Sequence, residues 1–318
     1  GGLAGAVVAL HQQGFAGIHV QVQRAEDGFV VATEAKAMRG QQRRGVQGAG
    51  SLHRNGPPLY RGNGPDDLRT LGVPPVLSLL PMQPQTKLPK VGTTIFTVMS
   101  QLAAEHGAVN LGQGFPDFSA PQRLIDETIA AMQGGLNQYP PMTGVAPLRQ
   151  AIAQKSLDLY GAQVDPDTEI TVTSGATEAI FNAIHAVVRP GEEVIVLDPA
   201  YDCYEPAIDL AGARAVHVPL DPQTFAVDWD RVRAAITPRT RLLMVNTPHN
   251  PSGAMLSAED MQALADVLRG TDIYLISDEV YEHIIYDGRR HESSLRHPEL
   301  RERAFVISSF GKTYHCTG

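Results

Sequence analysis

Lys312 lies in Ser308-Ser309-Phe310-Gly311-Lys312-Thr313, directly after the apolar run Ala304–Ile307. A lysine in such a turn can bind an anion, pair with a carboxylate, or, once neutral, attack an aldehyde and move protons. Gly311-Lys312-Thr313 ends like a nucleotide-binding P-loop, but that pattern needs a glycine at 306, where the chain has Val306. The other chemically capable residues also follow apolar runs. Ile170–Thr173 leads into Ser174-Gly175-Ala176-Thr177, and 194–197 leads into Asp198-Pro199-Ala200-Tyr201. Likewise 242–245 leads into Asn246-Thr247-Pro248-His249-Asn250, and 273–276 into Ser277-Asp278-Glu279-Val280-Tyr281.

These runs are the elements that must position the side chains. From about residue 126 helical and strand patterns alternate, which predicts an α/β domain with a mainly parallel sheet flanked by helices. Continuous apolar runs imply strands buried on both faces, and ligands of such sheets bind beyond the carboxyl ends of the strands. Each residue taken singly has an ordinary reading. Ser174 caps the helix that Ile180, Ile184, Val187 and Val188 predict from Glu178, and Asp278 is a solvated or capping carboxylate. Tyr201 and Tyr281 fill the core, Asn250 shapes an Asn-Pro turn, and Lys312 is a surface lysine. Taken together they gather a helix N-terminus suited to a phosphate, an aromatic face, an amide, a phenol, a carboxylate and an amine at one sheet edge.

Pyridoxal 5′-phosphate uses every one of these groups. Its aldehyde would take the Lys312 amine, which then also serves as the base that moves an α-proton, and Asp278 would keep its ring nitrogen protonated. Seven stretches in order, Asn110 to Phe118 (NLGQGFPDF), Asn137 to Arg149 (NQYPPMTGVAPLR), TSGATEAI, DPAYDCYEP, NTPHNPSG, SDEVYEH and SSFGKTYHCTG, resemble signatures of class I, fold type I pyridoxal-phosphate-dependent aminotransferases. The likeness is greatest to the methionine and kynurenine (glutamine-type) branch and runs from about Lys87 to Gly318. The resemblance implies a fold type I large domain with an incomplete small domain. It makes Lys312 the cofactor lysine, Asp278 the partner of the ring nitrogen, and Tyr281 with Asn250 the partners of the phenolic oxygen. Tyr201 is the stacking aromatic; Ala176, Thr177 and Ser309 hold the phosphate, and Gly175 shapes their turn. It implies that Tyr139 reaches the phosphate of a neighbouring subunit, hence a homodimer, and that Gly114, with Asn250, contacts the substrate. The activity implied is amino-group transfer from a large apolar or aromatic amino acid, methionine foremost, to a 2-oxo acid. The alternatives are a cysteine-S-conjugate β-lyase and a non-catalytic cofactor-binding regulatory module.

Composition limits the rest. The 43% hydrophobic content suits a buried core, and no run approaches the ~18 apolar residues of a membrane span. No secretory leader is read at the start, so a cytoplasmic setting is expected. A net charge of −8 gives no reason to expect nucleic acid, and Cys203 and Cys316 lie in no metal-binding spacing, so no metal site is expected. Residues 1–81 carry a net +3 and 14 of the 30 glycines without sustained periodicity, so they are expected to be poorly ordered and foreign to the rest of the chain. Residues 82–125 are expected to form an N-terminal arm and the start of a small domain, and 126–318 a cofactor-binding large domain. The resemblance further implies a chain truncated at its C-terminal end. On that reading it lacks the arginine for the substrate carboxylate and has little activity alone.

Overall fold

A computed structural model describes residues 85–114 and 118–316, together with the backbone of three short strands at 6–9, 24–25 and 28–29. Contacts divide the chain into one unit of 1–14 with 87–318 and a second of 15–86. Within the second unit, β2 (Arg24–Ala25) pairs antiparallel with β3 (Gly28–Phe29). The expectation of poor order over 1–81 otherwise lies outside the described residues.

The first unit has the α/β architecture predicted from about residue 126 onward. Its chain order is β1 (Ala6–Ala9), α1 (Ile95–Glu105), α2 (Gln122–Gln133), α3 (Ala146–Tyr160), β4 (Ile170–Thr173), α4 (Ala176–Val187), β5 (Glu193–Asp198), α5 (Tyr204–Leu210) and β6 (Arg214–Pro219). Then come α6 (Trp229–Ala235), β7 (Thr240–Asn246), α7 (Ala258–Leu268), β8 (Tyr274–Asp278), α8 (Pro298–Arg301), β9 (Ala304–Ile307) and α9 (Phe310–Thr313). Five strands form a parallel sheet in the order β6-β5-β7-β8-β9, and β4 pairs in parallel with β1.

Successive strand side chains point to opposite faces, and the core divides accordingly. Ile195, Leu197, Leu243, Val245, Leu275 and Val306 pack with Ile152, Val232, Met261, Leu264 and Leu300 from α3, α6, α7 and α8. Val194, Val196, Leu242, Met244, Ile276 and Ile307 pack instead with Ile180, Ile184, Tyr204 and Ile208 from α4 and α5. The central strands are therefore buried on both sides, as their unbroken apolar runs predicted.

At the amino end of the sheet, Glu193 is buried and accepts hydrogen bonds from Arg214, Thr237 and Arg239. These donors bring its carboxyl down to about 2. Ahead of β4, Gly144 has φ +97, and a Cβ there would sit 2.6 Å from Val172 Cγ2. Only glycine lets this turn lie against the strand. Arg149, also buried, bonds the Gly144 and Pro166 carbonyls and pairs with Asp167, which ties α3 to the same turn.

Candidate active site

Because β5, β7, β8 and β9 run in parallel, their carboxyl ends deliver 198–204, 246–250, 278–282 and 308–312 to one edge of the sheet. Asp278 ends β8 and is only 4% exposed. Oδ2 accepts a 2.5 Å hydrogen bond from the Tyr204 hydroxyl, and Oδ1 a long one, 3.3 Å, from the Val280 amide. Burial raises its carboxyl to about 6 against the opposing pull of the Tyr204 and Val280 hydrogen bonds. Glu279 raises it further, and the positive charge of Lys312 lowers it. Among the described residues, no lysine, arginine or histidine stands at ion-pair distance from this carboxyl. A carboxylate so enclosed is stabilised by a cation brought to it.

Lys312 follows β9 on the one-turn helix α9. Its Nζ lies 5.6 Å from the centroid of the Tyr281 ring. The Tyr281 hydroxyl accepts from Asn250 Nδ2 at 3.4 Å, and burial with the nearby Asp278 charge raises its pKa. Asn250 is held in turn by Asn246, whose Oδ1 accepts the Asn250 amide and whose Nδ2 donates to the Asp278 carbonyl. Tyr201 packs edge-on against Tyr204, ring centroids 5.9 Å apart. Lys312, Asp278, Tyr281, Asn250 and Tyr201 thus form one neighbourhood.

The turn after β4 differs in one respect from its ordinary reading. The N-cap of α4 is Gly175, at φ 85, and no side chain caps the helix. Ser174 instead donates its amide to the Glu178 carboxylate. The sequence favours Ser174 as the cap, since serine is common at helix starts, but the chain turns one residue later, where a positive φ demands glycine. Ala176 and Thr177 occupy the first two helical positions, with no side-chain cap over their amides. Burial pushes the Cys203 thiol up to about 12. Ser309 stands at the start of α9 without a side-chain cap bond.

Gly114 and Tyr139 are not joined to this neighbourhood by any hydrogen bond or ring contact among the described residues. Tyr139 is fully exposed. Phe118 does touch the turn after Lys312: its ring lies 4.5 Å from that of His315, and His315 Nε2 donates to the Phe118 carbonyl.

Several residues here escaped the sequence reading. His249 is buried between two of the site loops, with Nε2 2.9 Å from the Pro199 carbonyl and Nδ1 2.7 Å from the Ser252 hydroxyl. A carbonyl only accepts, so Nε2 carries the proton and Nδ1 accepts from Ser252. Burial lowers its pKa, so the folded chain keeps this ring neutral longer than the unfolded chain does. Its contribution is intact above the ordinary histidine value and is lost as pH falls from there towards the folded value. Melts between pH 7.5 and 5.5 should show a fall in Tm that His249→Gln reduces. Glu282, buried beside Tyr281, accepts from Lys155 at 2.6 Å and also from Tyr160 and Ser308. Glu279 accepts from His291 at 2.8 Å and Ser277 at 2.8 Å.

Comparison with known proteins identifies the family. The family model for aminotransferase class I and II matches residues 106–318. A methionine aminotransferase of Escherichia coli is 55% identical over 238 residues, 75% of this chain and 62% of that protein. Human kynurenine–oxoglutarate transaminase 1 is 38% identical over 231 residues, 69% of this chain and 55% of that protein. The solved N-succinyldiaminopimelate aminotransferase of Mycobacterium tuberculosis superposes with a TM-score of 0.71 at 47% identity, covering 74% of this chain and 62% of that one. The chain therefore spans about three fifths of the length of such relatives. With this likeness over most of its length, and a parallel sheet whose strand ends gather these side chains, the chain belongs to the class I and II aminotransferases.

Proposed function

We propose that this edge of the sheet binds pyridoxal 5′-phosphate and that the protein moves an amino group from a large apolar or aromatic amino acid, methionine-like, to a 2-oxo acid. The observation that carries the reading is Asp278, an enclosed carboxyl with no ion-pair partner among the described residues, close enough to Lys312 to feel its charge. A protonated pyridine nitrogen is the cation such a group suits, and an aldehyde is what the amine suits, so the donor set fits the cofactor. When bound, the cofactor supplies an electron sink that makes the substrate Cα–H acidic.

The chain's own residues do the rest. Asp278 would keep a proton on the ring nitrogen, and the neutral Lys312 amine would take the substrate Cα proton onto Nζ. Tyr281 and Asn250 bond the ring oxygen, and the Tyr201 ring covers one face. The uncapped amides of Ala176 and Thr177, shaped by Gly175 and joined by Ser309, receive the phosphate. Gly114 and Asn250 meet the substrate. The likeness to a methionine aminotransferase and a kynurenine transaminase supports the choice of amino acid.

A homodimer belongs to the same reading. Leu111, Leu136, Tyr139 and Met142 stand 82–100% exposed, large apolar or aromatic side chains that a second copy would cover. Tyr139 would then meet the partner's phosphate site.

Incubation with pyridoxal 5′-phosphate, borohydride reduction and peptide mapping test the proposal. The label is expected on Lys312. Lys155 is already tied to Glu282, so a label spread over Lys36, Lys87, Lys90 and Lys155, or none, would refute it.

A further inference from the structure

The phenol on Asp278 comes from α5, in the same turn that carries the Tyr201 ring. Tyr204 is 4% exposed, sits among Ala207, Ile208, Val196 and Ile276, and aims its hydroxyl at Oδ2 of Asp278. A hydroxyl buried this deeply stays protonated, because burial and the neighbouring Asp278 charge both push its pKa well above the ordinary tyrosine value. It therefore acts as a donor throughout the useful pH range. The other bond to the carboxyl is the 3.3 Å contact from the Val280 amide, weak by its length. Among the described residues, Glu279, Lys312, Tyr201, Tyr281 and Cys203 also bear on the carboxyl electrostatically. Of these Glu279 opposes ionisation of Asp278 and Lys312 favours it.

We propose that Tyr204 is a positioning residue that orients the Asp278 carboxylate and stabilises its anionic form for a cationic ring nitrogen. The inference deepens the proposed function and rests on it for the identity of the cation. The phenol–carboxyl coupling itself stands on geometry alone. Charge-assisted O–H···O⁻ bonds are stronger than neutral ones, so a phenol aimed at this buried carboxyl favours its anionic form. Because Tyr201 packs edge-on against Tyr204, the same turn sets both the stacking ring and the direction of the carboxylate. A shift of α5 would move the two together.

Tyr204→Phe removes one oxygen and keeps the ring in its core. The first readout uses the full chain without cofactor: the Asp278 carboxyl carbon is followed by NMR against pH, with Asp278→Asn identifying the signal. The midpoint is expected to rise by about one unit in Tyr204→Phe. The second readout is a cycle of pyridoxal 5′-phosphate affinities for the parent, both single variants and the double variant. Tyr204→Phe is expected to weaken binding about tenfold at pH 6.5, less at pH 8.5, and to have little effect once Asp278 is Asn.

An unchanged midpoint, or an equal loss of affinity with and without Asp278, would overturn the inference. A raised midpoint combined with affinity indifferent to Asp278→Asn would leave the phenol–carboxyl coupling standing and sink the proposed cofactor role. Should Tyr204→Phe not accumulate, 3-fluorotyrosine at 204 keeps the shape. Its more acidic hydroxyl should lower the midpoint, and no movement would again overturn the inference.

Discussion

Lys312→Ala is expected to abolish the visible absorption that pyridoxal 5′-phosphate acquires on binding the protein. It should also slow exchange of the methionine α-proton for solvent deuterium by roughly 10²–10⁴-fold, the range typical of a positioned general base. Among the described lysines, reach decides which amine can meet the ring that Asp278 would hold. Lys87 and Lys90 lie exposed near the start of the described chain, and Lys155 is fixed on Glu282 at 2.6 Å. Lys312 stands beside Asp278 and over Tyr281, on a turn held by the Tyr314 amide on the Phe310 carbonyl and the Cys316 amide on that of Gly311. Lys312→Arg is the control. It keeps the charge but cannot release its proton in the working range, so it should retain anion binding and lose exchange as completely as alanine does. Exchange that survives in either variant would remove Lys312 from the proton's path.

The legible part of the fold was that in which one strand carries its whole signal locally. β5, β7, β8 and β9 are unbroken apolar runs ending in polar residues, and those polar residues are the ones that meet at the sheet edge. β6 was missed because Arg214–Pro219 is an edge strand with one side to solvent, so its apolar residues are interrupted by Arg214 and His217. The Ser174 cap failed for a different reason. Serine, glycine and the first helical residue compete within three positions, and only the backbone angle of Gly175 decides between them. Tyr204 and His249 were invisible as site residues because their partners, Asp278 and Pro199, lie 74 and 50 residues away. Local patterns hold no record of such pairs. DPAYDCYEP did contain both tyrosines, but one phenol per motif suffices for a stacking role, and nothing in the spacing assigns a task to the second.

The largest loss of stability is expected at Glu282, and it arises from the same kind of long-range pairing. Burial disfavours the Glu282 carboxylate, yet the charge of Lys155 and hydrogen bonds from Lys155, Ser308 and Tyr160 outweigh that and bring its pKa below the ordinary glutamate value. The three donors come from α3 and from the end of β9, while Glu282 itself follows Tyr281. One carboxylate therefore holds together the helix, the Tyr281 turn and the strand end that leads to Ser309 and Lys312. Glu282→Ala strands the Lys155 ammonium in a half-buried place and leaves the Tyr160 and Ser308 hydroxyls without this acceptor. Breaking a buried pair from one side costs roughly 3–5 kcal/mol. Urea unfolding should show that loss, and Lys155→Met in the Glu282→Ala background should return part of it by removing the stranded charge. Glu282→Gln should fall between the two, since an amide keeps some hydrogen bonds and loses the charge. The pH dependence comes from the direction of the shift: the contribution is complete above the ordinary glutamate pKa and fades as pH falls towards the lower folded value. Parent and Glu282→Gln should therefore converge in stability under acid. If Glu282→Ala proved as stable as the parent at neutral pH, the strand end and α3 would have to be held by their apolar packing alone, and the Lys312 turn would owe nothing to this carboxylate.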